Sequence, residues 1–144
     1  MQKFSGPKGR ADGFAAAVES MGWTCEEYDI VNGEDHDLTA DHVWLEVRQK
    51  LRQGRYAALL AGSPCNTFTD AQRGDDEAPR PLKSATGPER YGLDELAPAQ
   101  KHKVQKANLM SIRTSESVEI MDDLQRPSIV EQPRFKDDTE SVSM

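Results

Sequence analysis

Apolar positions in this chain gather into short periodic segments separated by polar, glycine-marked breaks. An alanine-rich run from Asp12 to Met21 sets Phe14, Val18 and Met21 at spacings of four and three, the interval of one helix face. Asp12 is its predicted N-cap and Gly22 its terminator. Trp23 to Val31 carries Thr24, Tyr28, Ile30 and Val31, which favour a pleated strand, and stops at the turn-forming Asn32-Gly33. A second helix is predicted from Ala40 to Gln53, capped by Thr39, with Val43, Trp44, Val47 and Leu51 as its buried stripe and Gly54 at its close. Tyr56-Ala57-Ala58-Leu59-Leu60-Ala61 is a continuous apolar run between glycines, the pattern of a strand buried on both faces of a parallel sheet.

Residues 69–96 are dense in proline, glycine and charge and have no period, which predicts a long loop. A long helix follows from Pro98 to Leu124, its apolar side marked by Val104, Ala107, Met110, Thr114, Val118 and Met121, with Pro127 just past its end. Pro127 to Glu131 reads as a last short strand. Strands alternating with helices predict an α/β fold, a mostly parallel sheet flanked by helices, with right-handed crossovers and a ligand crevice at the C-terminal strand ends. Residues 1–133 make up this one domain, and 134–144 a disordered tail.

Length and charge narrow the picture. The 144 residues suffice for one core and not for two. With 25 acidic against 18 basic residues and a net charge of −7, general electrostatic attraction to phosphates is excluded as a binding principle, so any DNA contact is local. The two cysteines, Cys25 and Cys65, belong to no closely spaced Cys/His set, and no metal is expected. No apolar stretch is long enough for a signal peptide or a membrane span, which predicts an intracellular protein, cytoplasmic or nuclear.

Four places can carry chemistry. Phe4-Ser5-Gly6-Pro7-Lys8-Gly9, opening onto a helix, suits a small-molecule loop, because glycines let backbone approach a ligand; it equally fits an ordinary turn. Asp29, at the end of the next strand, stands where nucleotide-binding α/β folds put a carboxylate for ribose hydroxyls, or it is a solvated turn acid. Cys65 follows Pro64 in a turn after the apolar strand, where its thiolate could attack a carbon centre; a lone cysteine is also commonly a small buried hydrophobe, the role that suits Cys25. Glu131, before Gln132-Pro133, ends the last strand, as a solvated carboxylate or as a partner of Cys65.

Taken together and in order, these segments resemble the DNA cytosine-5 methyltransferases. Phe4-Ser5-Gly6-Pro7-Lys8-Gly9 with Gly13-Phe14 is similar to that family's F-[SA]-G-x-G-G cofactor loop, Lys8 standing where the family has a glycine. Ala61-Gly62-Ser63-Pro64-Cys65-Asn66-Thr67-Phe68-Thr69 resembles its G-G-P-P-C-Q-x-F-S nucleophile segment, and Val130-Glu131-Gln132-Pro133 its E-N-V segment, with the glutamate retained. The resemblance implies a truncated Rossmann-like class I methyltransferase fold, covering the N-terminal portion of the usual enzyme, with one strand and one helix fewer between the second strand and the nucleophile strand. It implies S-adenosylmethionine as cofactor, lined by Phe4, Ser5, Gly6, Gly9 and Pro64, with Asp29 on the ribose and Asp37 on the adenine side. Cys65 would add to ring carbon 6 of a flipped-out cytosine while Glu131 holds the ring nitrogen. Asn66, Arg73 and Arg90, with Arg80 and Lys83, would meet the DNA, although these loop cations serve solubility as readily. DNA and a second chain completing the fold are the partners so implied. The alternative is a non-catalytic remnant or interaction subunit that keeps part of the fold.

Overall fold

The computed structural model describes residues 1–3, 8–62, 92 and 96–131. The chain divides into two units, Met1–Ser63 with Leu109–Glu131, and Pro64–Asn108 with Gln132–Met144. The predicted 69–96 loop, apart from residues 92 and 96, and the 134–144 tail lie outside the described residues.

The fold is α/β. In chain order the elements are β1 (Gln2–Lys3), α1 (Phe14–Ser20), β2 (Glu27–Tyr28), α2 (Asp41–Arg52), β3 (Leu59–Gly62), α3 (Pro98–Asp123) and β4 (Ser128–Glu131), with two 3-10 turns, Ile30–Asn32 and Glu34–His36, between β2 and α2. The four strands form one sheet of order β2-β1-β3-β4, and every pairing is parallel. β1 is only two residues long yet central. Its ladder to β3 is extended by the Met1 nitrogen donating to the Ala58 carbonyl at 3.0 Å and the Leu60 amide donating to the Met1 carbonyl at 3.0 Å.

α2 and α3 pack against a first face of this sheet. The core lies on the first face: Val43, Trp44, Val47 and Leu51 of α2, the predicted stripe, meet Ile120 and Met121 of α3, and Tyr28 and Leu59 of the sheet, with Leu38 sealing the side. β3 alternates accordingly. Leu59 and Ala61 are buried and Leu60 and Gly62 are half-buried, so the expectation of a strand buried on both faces is corrected: one side of the strand is buried and the other only partly so.

Four further expectations are corrected. The strand predicted for Trp23 to Val31 shrinks to Glu27–Tyr28, because the Asp29 carboxylate accepts from the Val31 amide at 3.0 Å and turns the chain into a 3-10 coil despite its β-favouring side chains. Asp12 does not cap α1; it binds Arg10 instead, and Gly13 takes the capping position. Thr39 does not cap α2, since the Asp37 carboxylate holds both its amide, at 2.9 Å, and its hydroxyl, at 2.6 Å, leaving Ala40 at the cap. Of the predicted α1 stripe, Phe14 is 44% exposed and Met21 69%. Seven residues make about two turns, so Met21 falls beyond the last one, and Ala15 is the buried residue instead.

α3 ends at a tight left-handed cap. Gln125 adopts φ 55°, and the Arg126 amide returns to the Met121 carbonyl at 2.8 Å, the geometry in which glycine costs least. Gln125→Gly is expected to stabilise the chain by about 0.5–1 kcal/mol, read as a rise in the urea midpoint at unchanged slope. The Arg126 guanidinium then donates to the Gly54 and Tyr56 carbonyls, stitching the α3–β4 link to the segment that enters β3.

Near the N-terminal strand ends, the Glu26 carboxylate accepts from the Tyr56 hydroxyl, from the Tyr28 hydroxyl at 3.2 Å and from Lys50 at 3.5 Å. Burial pushes the Glu26 carboxyl up, but the Tyr56 hydrogen bond, the Lys50 charge and the Tyr28 hydrogen bond outweigh it and hold the group below the ordinary carboxylate value. A depressed folded-state value means that this contribution is full at neutral pH and is lost as pH falls through and below the usual carboxylate range. Tyr56→Phe is expected to cost about 1 kcal/mol at neutral pH, a figure discounted because the Glu26 side chain is 43% exposed. Urea titrations at neutral and acid pH check this: the gap between variant and parent should close as Glu26 protonates.

Candidate functional site

A parallel sheet gathers the C-terminal ends of its strands on one edge, and loops leaving that edge can converge on a ligand. Here the chain leaves β1 for β2 on one side, and β3 lies on the other, so the strand order turns outward between β1 and β3. Lys3, Tyr28, Gly62 and Glu131 end the four strands.

The register of β3 and β4 brings two of the sequence-predicted segments together. Gly62 and Glu131 are direct partners at the last rung. A Cβ built on Gly62 would lie 4.0 Å from Glu131 Oε2, so the carboxylate stands at ordinary contact distance from the end of β3. Glu131 is exposed. Cys65 follows Gly62 by three positions in the chain; Cys65 itself, with Pro64, Asn66, Arg73, Arg80, Lys83 and Arg90, lies outside the described residues.

At the other end of the edge, Phe4, Ser5 and Gly6 also lie outside the described residues, and Gly9 is the described member of the glycine loop. Gly9 holds φ +78°, the left-handed region, with no heavy atom within 4 Å of where a Cβ would stand. Asp29 directly follows β2, half-buried, one carboxylate oxygen already committed to the Val31 amide. Asp37 is likewise half-buried and closes onto Thr39 through the same oxygen that accepts both of its bonds.

Sequence reasoning passed over the residues that join these loops. The Lys8 amide donates to Asn32 Oδ1 at 2.8 Å, and Lys8 Nζ lies 2.9 Å from His36 Nε2. The other ring nitrogen of His36 is 3.0 Å from the Glu27 carbonyl, and its ring is tilted at 54° against Tyr28, centroids 5.7 Å apart. Lys8 thus bridges the glycine turn and the loop after β2. Arg113 was also passed over. From α3 it donates to the Leu38 carbonyl at 2.6 Å and to Asp41, beneath the Trp44 ring, and so fixes the loop that carries Asp37. Only their contacts reveal these roles.

Cys25 is half-buried, and burial first, reinforced by Glu27, Glu19 and Glu26, pushes its thiol up, away from nucleophilic use. Among the described residues no group of three or more His, Cys, Asp or Glu side chains could hold a metal ion, and no helix is long and apolar enough to cross a membrane. No family model, no curated protein and no solved structure matches the chain.

Proposed function

We propose that this chain is a Rossmann-like methyltransferase domain that binds S-adenosylmethionine and modifies cytosine in DNA through Cys65, with Glu131 as its acidic partner. The observation that carries the proposal is the Gly62–Glu131 rung, which sets the strand leading to Cys65 beside the strand ending in Glu131 at the ligand-facing edge. The residues at the other end of the edge fit a nucleoside-bearing cofactor: Gly9 leaves open backbone after β1, and Asp29 stands at the end of the neighbouring β2. A strand order with β1 central supports the same reading.

S-adenosylmethionine, when bound, supplies an electrophilic methyl group. The chain's own residues prepare the acceptor. The Cys65 thiolate adds to ring carbon 6 of an extruded cytosine while Glu131 holds the protonated ring nitrogen, so the electron pair released into the ring makes carbon 5 nucleophilic. Loss of the carbon 5 proton and expulsion of Cys65 restore the ring.

Calorimetric titration of S-adenosylmethionine into the purified chain tests the cofactor half, with Gly6→Trp as the blocked control. Micromolar binding that disappears in the variant is expected. No heat and no thermal shift would overturn the proposal in favour of the second reading, a non-catalytic interaction subunit. That reading has its own observation: the outer edge of β4 has no strand partner among the described residues, and Ile129 on it is 63% exposed.

A further inference from the structure

We propose that Lys8 and His36 form a proton-sensitive clasp that ties the glycine turn to the loop after β2 and holds the Gly9–Asp29 end of the site closed while His36 is neutral. The polarity of two contacts carries the argument. A lysine ammonium has only protons to offer, so His36 Nε2, 2.9 Å from Lys8 Nζ, must be the accepting nitrogen. A carbonyl can only accept, so His36 Nδ1, 3.0 Å from the Glu27 carbonyl, must carry the proton. Both contacts are met together only by the neutral ring protonated on Nδ1. A second proton on Nε2 turns the acceptor into a donor and sets an imidazolium against an ammonium.

Among the described residues no acceptor other than His36 is bonded to Lys8 Nζ. From β2 the ring meets Tyr28 and the Glu27 carbonyl, and from the glycine turn it meets Lys8; Glu34, Asp35 and Asp37 flank it along its own loop. Among the described residues none of these carboxylates forms an ion pair with His36 or Lys8, and Asp37 is engaged by Thr39. The Lys8 amide bond to Asn32 has no titrating partner and persists, so acid loosens the clasp without releasing the turn altogether.

The clasp is a property of the free chain, and its effect on ligand rests on the cofactor reading above. Two experiments on the full chain separate them. In the first, the protection factor of the Lys8 amide and the imidazole nitrogen shifts are followed by NMR from about pH 8 to about pH 5, across the range where imidazoles titrate. The parent chain is expected to show the Nδ1-protonated tautomer at the alkaline end and about threefold loss of protection on acidification, the scale of an exposed polar contact. His36→Gln, whose amide can still accept from Lys8, should be flat with pH, and Lys8→Met should hold the lower, acid-level protection throughout, because its backbone amide keeps the bond to Asn32. An Nε2-protonated ring, or a pH response that survives in His36→Gln, overturns the clasp.

In the second, S-adenosylmethionine affinity is expected to fall about threefold over the same interval in the parent and to stay level in His36→Gln. A parent affinity that is level with pH overturns the link between clasp and site. Absence of binding at every pH, with the NMR transition intact, overturns the cofactor reading and leaves the clasp standing.

Discussion

Cys65→Ser is expected to reduce methyl transfer to cytosine to background while leaving S-adenosylmethionine affinity nearly unchanged. The thiolate is the attacking species, and a serine hydroxyl at the same place is far less ionised near neutral pH, with no histidine base assigned beside it. Cofactor contacts are proposed to come chiefly from the glycine loop and Asp29, so binding should not follow activity down. Glu131→Gln makes the complementary test. The β4 backbone, and so the pairing of position 131 with Gly62, is kept, while the amide cannot share a proton with the ring nitrogen. Single-turnover assays on a cytosine-containing duplex should therefore find both variants inactive and both still able to bind cofactor. Transfer that survives Cys65→Ser would remove the covalent mechanism, and transfer that survives Glu131→Gln would return Glu131 to the role of a solvated strand end.

The largest expected loss of stability comes from Arg113→Ala, at about 3 kcal/mol. Arg113 is 7% exposed, and the Leu38 carbonyl that its guanidinium satisfies belongs to a residue only 2% exposed. Truncation orphans that carbonyl, empties the space beneath Trp44 and removes the anchor of the loop from Asp37 to Asp41. Asp41 decides less than its position suggests. Its side chain is 86% exposed, so Asp41→Asn should cost about 0.5 kcal/mol or less. Arg113→Lys should recover only part of the loss, because an ammonium cannot span both acceptors in the fork geometry of a guanidinium. Urea unfolding of the three variants checks the order. A loss in Asp41→Asn equal to that in Arg113→Ala would show that the ion pair, rather than the carbonyl and the ring, is what Arg113 supplies.

Much of the molecule could be read along the chain, for reasons that are local. The α2 stripe of Val43, Trp44, Val47 and Leu51 is buried as its spacing requires, since helical periodicity commits one face whatever the neighbouring element. Along α3, Val104, Ala107, Thr114 and Met121 follow the same rule. The order of elements predicted a parallel sheet, and the described strands pair in parallel throughout. Asp29 and Glu131 stand at strand ends because turn-forming residues follow one and a proline-containing segment follows the other.

What the chain order concealed was decided partly by competing local hydrogen bonds and partly by contacts between distant residues. Asp29, Asp12 and Asp37 each had a local hydrogen-bond choice that propensity does not rank; Asp29 curtailed a strand, while Asp12 and Asp37 took partners that displaced the expected caps. Arg113 reads as a solvated helix cation until the tertiary fold carries the Leu38 carbonyl to it across 75 positions of sequence. Lys8 and His36, 28 positions apart, acquire a joint role only because β1 and β2 lie side by side. Periodicity and turn chemistry, acting over a few residues, determined where most helices and strands would lie and which residues would end the strands. The strand register that pairs Gly62 with Glu131, the burial of Arg113 and the contacts of His36 arise from long-range packing, because the partners of these groups exist only once the sheet has assembled.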